Sequence, residues 1–279
     1  MTNHSEPGTL DGNQANLYKI LLIVPAFGLV ANALLFVFLM RHKIGNSTTS
    51  FILKLQAVND GVVSFLSSAI IIAPSFWSTN VPALDYFFCY IWHSQFLYWY
   101  CIHFGIYIML MTVFERFFCV VLPMQYKQRK PRHVYIPLLI IILVSIPHVA
   151  PMFVEAGMID EGGVITCIPS FDYYVSLNAN VRYVRRVFSV MWFIFDYTLP
   201  VILIVILYSF VIKTLRATKM SREEGRKEAS SRFTAATLLG AVIMTIANSW
   251  DTMTYLLLVY EVIQLNYLNQ ATNQIGVFM

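Results

Sequence analysis

The chain has 279 residues, of which 58% are hydrophobic, 15% aromatic and only 12% charged, with a formal net charge of +4. A soluble domain carries charge on about a quarter of its residues, so this composition excludes an ordinary water-soluble fold and indicates an integral membrane protein whose first partner is the lipid bilayer. The cations gather in particular loops rather than along a groove or stripe, which argues against a nucleic-acid partner.

Residues 1–17 are polar and contain Asn3-His4-Ser5, a glycan-acceptor pattern. The basic start and short apolar core of a cleavable signal peptide are missing from this stretch. Apolar runs then recur at about 18–40, 51–77, 90–121, 134–154, 188–212 and 233–260. Crossing about 30 Å of hydrocarbon takes roughly 20 helical residues, so each of these is a candidate span. A further run at 265–279 supplies only about 22 Å of helix at 1.5 Å per residue and is expected to be an incomplete seventh span. The predicted architecture is an all-α membrane protein, a seven-transmembrane helix bundle over 18–279 with its seventh helix truncated at the C-terminus.

Orientation follows from the cations. The loops after spans one, three and five collect Arg41, Lys43, Arg116, Lys127, Arg129, Lys130, Arg132, Lys213, Arg216 and Arg232 among others, whereas the opposite side has only Lys19, Arg182, Arg185 and Arg186. The positive-inside rule places the amino terminus outside the plasma membrane and these loops in the cytoplasm. Asn3 is then a candidate glycosylation site, while Asn46-Ser47-Thr48, which carries the same pattern, falls in the first inner loop and stays unmodified.

The third span carries the most information. Ile91 to Phe114 has no Asp, Glu, Lys or Arg, and it ends in Glu115-Arg116-Phe117 followed by Pro123 and Tyr126. A cation at the membrane boundary can reach for water while a neighbouring carboxylate offsets its charge. The stretch Phe-Glu-Arg-Phe-Phe-Cys-Val-Val-Leu-Pro-Met-Gln-Tyr resembles the end of the third helix and the second inner loop of rhodopsin-like (class A) G-protein-coupled receptors. The likeness extends in order through Asn32 and Asp60 in spans one and two and Pro200 and Tyr208 in span five, and it is nearest in character to invertebrate orphan or neuropeptide-type members.

What the resemblance implies can be stated residue by residue. Arg116, restrained by Glu115, would be freed on activation to meet a heterotrimeric G protein, with Phe117, Pro123 and Tyr126 around it and Tyr208 approaching from span five. Arg232 stands where many members carry an acid that locks onto this arginine, so Glu115 is expected to restrain Arg116 alone. Asn32 and Asp60 correspond to a polar network that can hold a sodium ion near Asp60; a structural hydrogen bond between helices is the plainer alternative. Four cysteines allow three full pairings, and the resemblance implies the one that joins Cys89 to Cys167. Cys89 lies 27 residues before Arg116, somewhat farther than the family pattern, so extra residues sit in the loop or the helix bulges. In span six Trp250 takes the place of a toggling tryptophan, but Thr252 stands where the family carries a kinking proline.

The outer mouth gathers Trp92, Tyr98, Trp99, Asp196, Trp250 and Asp251 as a candidate ligand pocket. Tyr98 stands where amine receptors carry an aspartate, so an amine ligand is disfavoured. With Arg182, Arg185 and Arg186 nearby, aromatics with both charge signs suit an extracellular peptide, and a chemosensory receptor for small molecules is the alternative. No GxxxxGK[ST], HExxH or GxSxG is present, and the histidines lack metal-ligand spacing, so neither catalysis nor a metal site is expected. A small transporter or channel is the rival from another class, but the halves of the chain show no internal repeat.

Overall fold

The structure is a computed structural model that describes residues 12–42, 46–72, 79, 81–128, 132–150, 156–161, 164–169, 179–218 and 224–260. Span one is α1 (Gly12–Arg41) and span two is α2 (Ser47–Ile72). Span three joins α3 (Pro82–Phe87), a π-helical turn (Phe88–His93) and α4 (Phe96–Val121), and α5 (Pro123–Lys127) follows it. Span four is α6 (Arg132–Val149). Span five joins α7 (Ala179–Trp192), a second π-helical segment (Phe193–Thr198) and α8 (Leu199–Thr218), and span six is α9 (Glu224–Val259). The expected seventh span and Asn3 lie outside the described residues.

The helical expectation is met by a bundle that is inverted relative to a soluble protein. Phe27, Leu34 and Ile72 are about two-thirds exposed or more, whereas Glu115, Arg116, His103 and Asp196 are buried. Lipid accepts the apolar exterior, and polar side chains are driven inward to find partners. Four described helices are long and apolar enough to cross a membrane, namely Leu21–Arg41, Ser47–Ile72, Pro82–Val121 and Arg186–Ala217; Val134–Val149 is a shorter apolar helix.

Close approach of spans two and three depends on one glycine. A Cβ on Gly105 would come 2.7 Å from Nδ2 of Asn59, and Asn59 uses that amide to donate to the Cys101 carbonyl at 3.1 Å. A side chain at 105 would displace the Asn59 amide and break this bond.

Two irregularities place functional groups. Pro200 has no N–H and its ring crowds the carbonyl four residues back, that of Asp196. The preceding turn widens into the π-helical segment Phe193–Thr198, and Thr198 Oγ1 donates to the Phe193 carbonyl five residues earlier, at 3.1 Å. In span three, the π-helical turn is followed by a break at Ser94 and Gln95, the latter left-handed with φ 56°. The extra length between Cys89 and Arg116 is therefore taken up as a bulge and a break within span three.

Between spans four and five, β1 (Ala156–Glu161) and β2 (Val164–Pro169) form an antiparallel hairpin in which Met158 pairs with Cys167. This hairpin is the one departure from an all-α reading among the described residues, and it belongs to a loop rather than to the bundle. A disulfide joins Cys89 to Cys167, with Cα atoms 5.6 Å apart, and pins the hairpin to the π-helical turn of span three.

Candidate functional site

The Arg116 end of the bundle is held by a closed set of hydrogen bonds. Arg116 Nε donates to Glu115 Oε2 at 2.6 Å, and a guanidinium nitrogen donates to Thr49 Oγ1 of span two at 2.7 Å. Thr49 Oγ1 in turn contacts Glu115 Oε1, and the Tyr126 hydroxyl donates to that same oxygen at 2.5 Å. Glu115 and Arg116 are each only 6% exposed. A charge-assisted contact in this setting is stronger than one in water, and its loss leaves a buried charge uncompensated.

Local sequence explains why these groups meet. Asn46 caps α2: its Oδ1 accepts from the Thr49 backbone N–H at 2.8 Å, the usual reach of an N-cap side chain to the third helical residue. That cap fixes the first turn of α2 and so aims Thr49 at span three. Pro123 opens α5 after α4 ends at Val121, with Leu122 as the residue between them, as suits a residue with no N–H to leave unpaired. The restart brings Tyr126 back over Glu115, where the Asn46 amide also reaches its hydroxyl. Burial, with a further push from Glu115, raises the Tyr126 phenol to about 12, so it stays a donor at neutral pH.

Sequence reasoning named Glu115, Arg116, Phe117, Pro123 and Tyr126 but missed Asn46 and Thr49. The signal was present, since an Asn followed by Ser-Thr-Thr-Ser ahead of an apolar run is a helix-start pattern; reading Asn46 only as an unused glycan acceptor hid it. The expectation that Glu115 restrains Arg116 alone is corrected by Thr49, which shares the guanidinium. Arg232 is exposed near the start of span six. Tyr208, 2% exposed, donates to Thr237 Oγ1 of span six at 2.9 Å. Phe117 packs on the core formed by Val113, Tyr208 and Val211, and Phe210 meets it edge-on at 6.1 Å.

Asn32 and Asp60 lie at one level, since a Cβ on Gly61 would sit 3.8 Å from that of Asn32, but they are not hydrogen-bonded to each other. Asn32 donates to the Gly28 carbonyl of its own helix at 2.9 Å. Asp60 Oδ1 accepts from Gln56 Nε2 at 2.7 Å. Opposite it span three offers Gly105, where an added Cβ would lie 3.9 Å from this oxygen, and Gln56 Oε1 is buried nearby without a hydrogen-bond partner. Groups of three or more His, Cys, Asp or Glu able to hold a metal are absent among the described residues.

At the disulfide end, the expected pocket residues separate. Trp92 and Trp99 are half-buried, and Tyr98 is buried with its ring 5.4 Å from that of Trp99. Trp99 meets Trp192 at 5.5 Å, and Trp192 meets Tyr255 of span six at 5.3 Å. Two expectations are corrected here. Trp250 is 58% exposed and faces away from this aromatic floor; Tyr255, five residues on, takes the inward role because the helix phase places it there. Asp196 is 3% exposed and is not at the mouth, because the π-helical segment turns it inward until Oδ1 lies 3.1 Å from Nδ1 of His103. The side chain of Asp251 lies outside the described residues.

Four long apolar helices and a shorter fifth among the described residues, a disulfide pinning a hairpin to span three, and an acid-arginine pair held at the other end define a multi-pass membrane receptor of the seven-helix type. The sequence matches the family described as 7 transmembrane receptor (rhodopsin family) over residues 31–278, and the chain belongs to that family. No curated protein matches the chain as a close relative.

Proposed function

We propose that this receptor couples an extracellular ligand to a heterotrimeric G protein, with release of Arg116 as the switch. The observation that carries the reading is the Glu115–Arg116–Thr49 clasp, which ties span three to span two with the guanidinium turned inward and out of reach of a partner. Ligand binding at the disulfide end would favour a packing of spans three, five and six in which Arg116 is free, and a ligand shifts that equilibrium only by its differential affinity for the two states. The amino terminus is proposed to lie outside, on the cation distribution, with the Arg116 end in the cytoplasm.

The proposed ligand is a short peptide that sets an apolar or aromatic side chain on the floor of Trp99, Trp192 and Tyr255. Arg186, with its guanidinium 5.6 Å from the Tyr260 ring centroid, supplies a cationic rim that suits an acidic group on the peptide. That floor is almost wholly aromatic, which favours a second reading, a chemosensory receptor for a small apolar molecule. A screen of peptide and small-molecule libraries against cells carrying the receptor and a G-protein reporter separates the two. Peptide hits whose response is lost in Arg116→Ala support the first; hits confined to small apolar compounds support the second, and hits unaffected by Arg116→Ala contradict the coupling mechanism.

A further inference from the structure

A cavity of about 820 Å³ opens between spans two, three and four beside the Arg116 clasp. Its two ends differ. One is polar, formed by Asn46, Ser47, Thr48, Glu115 and Tyr126, and the walls beyond are apolar, among them Met111, Phe114 and Ile141. It extends along span three from Glu115 to Tyr107, about 12 Å at 1.5 Å per residue. Phe114 and Ile140, both on its wall, are exposed on the lipid side of the bundle.

We propose that this cavity is a binding site for an uncharged amphiphile from the bilayer, one with a hydroxyl-bearing head and a single apolar body of about ten carbons. Three observations select that chemistry. Among the described residues the lining contains no Lys, Arg or His, so an anionic head finds no partner among them. Its one acid, Glu115, is already offset by Arg116, so a cationic head gains little and is costly to desolvate at this depth. The Ser47 and Thr48 hydroxyls suit a neutral hydroxyl, which both donates and accepts. The apolar length matches one chain and does not accommodate a two-chain phospholipid in full.

The occupant would touch Glu115 and Tyr126, two members of the clasp. Its presence braces the arrangement in which Arg116 is held, so it lowers basal signalling; this consequence rests on the switch reading, whereas the binding does not.

The test uses the full chain in phosphatidylcholine nanodiscs with a photoreactive diazirine analogue of a decanol-length alcohol. Labelled residues are mapped by mass spectrometry. The expected result is labelling concentrated on spans three and four around Met111 and Ile141, reduced at least about fivefold by the cavity-filling Ile141→Trp, a change of about 1 kcal/mol. The lipid-facing control Ile206→Trp leaves it unchanged, and retention of the Cys89–Cys167 bridge and of the melting midpoint verifies folding of each variant. Where Ile141→Trp does not fold, Met111→Trp takes its place. Labelling spread over all lipid-facing helices, or unaltered by the filling variants, overturns the site. Competition by the ten-carbon alcohol but not by the matched acid or amine is expected, and equal competition by all three overturns the head-group assignment. Site-specific labelling without an effect on basal nucleotide exchange removes the regulatory consequence and leaves the site standing.

Discussion

Two buried polar clusters, one at each half of the bundle, solve the same problem differently. At the Arg116 end, Glu115, Arg116, Thr49 and Tyr126 exchange hydrogen bonds, and each carboxylate oxygen has a donor. Deeper in, His103 and Asp196 approach to 3.1 Å, yet neither these two ring nitrogens nor the two carboxylate oxygens meet the angular requirements of a hydrogen bond. The two groups thus stand within reach of each other without an aligned hydrogen bond, held in place by the packing around them. Around them stand Trp192, 4.6 Å from the His103 ring, and His148, 6.4 Å away. The first cluster is arranged by local turns and can rearrange at a water boundary; the second is clamped by aromatic packing. A switch is expected of the former and a structural tie of the latter.

The largest effect should come from Arg116→Ala, which removes the proposed contact with the G protein. Receptor-stimulated nucleotide exchange is expected to fall to the level of G protein alone, and the melting midpoint falls as well, because Glu115 is left buried without its partner. Asp196→Ala sharpens the contrast from the other side. Taking away one member of a buried pair costs about 3–5 kcal/mol, so the detergent-solubilised receptor should melt earlier by roughly 6–15 °C. If Asp196→Ala instead left the midpoint unchanged and raised basal exchange, the assignment of roles to the two clusters would be reversed.

Thr49→Val is next. A hydrogen bond to a charged partner contributes about 1.5–3 kcal/mol, and its loss from the held state should raise basal exchange by about tenfold. The smallest effect concerns Tyr126. Its phenol is raised from 10.0 to about 12 in the folded protein, so the protonated form is the one folding favours. The stabilisation is complete below about pH 10 and is lost as pH rises through about 12. Tyrosinate absorbance in wild type minus Tyr126→Phe should therefore show a transition near 12; a transition near 10 would mean that the phenol is not buried over Glu115 in solution.

The two clusters also differ in how readable they are from the order of residues. Glu115 and Arg116 are neighbours in sequence, at the end of an apolar run, so the boundary charge pair is visible in the chain itself. Thr49 lies more than sixty residues away, and only the Asn46 cap hints at where it points. His103 and Asp196 come from different spans, and a helical wheel of span five places Asp196 wrongly unless the widened turn before Pro200 is known. Trp250 was misplaced for a different reason: span six is an unbroken α-helix there, and an error of one residue in its phase turns a side chain by about 100°. Span count, span order and the Cys89–Cys167 bridge were accessible from composition, charge and family resemblance because they depend on long stretches. The hairpin at 156–169 was not, since its short strands carry no strong alternation.

The most direct test of the clasp is basal nucleotide exchange by a purified G protein in the presence of wild-type receptor and of Glu115→Gln in nanodiscs. Neutralising the carboxylate keeps its shape but weakens its hold on Arg116, so exchange should rise by about tenfold or more, for a loss of about 1.5–3 kcal/mol, and adding Arg116→Ala should abolish the gain. Equal rates for wild type and Glu115→Gln, with both receptors folded, would contradict the claim that the Glu115–Arg116 pair is what holds the receptor off.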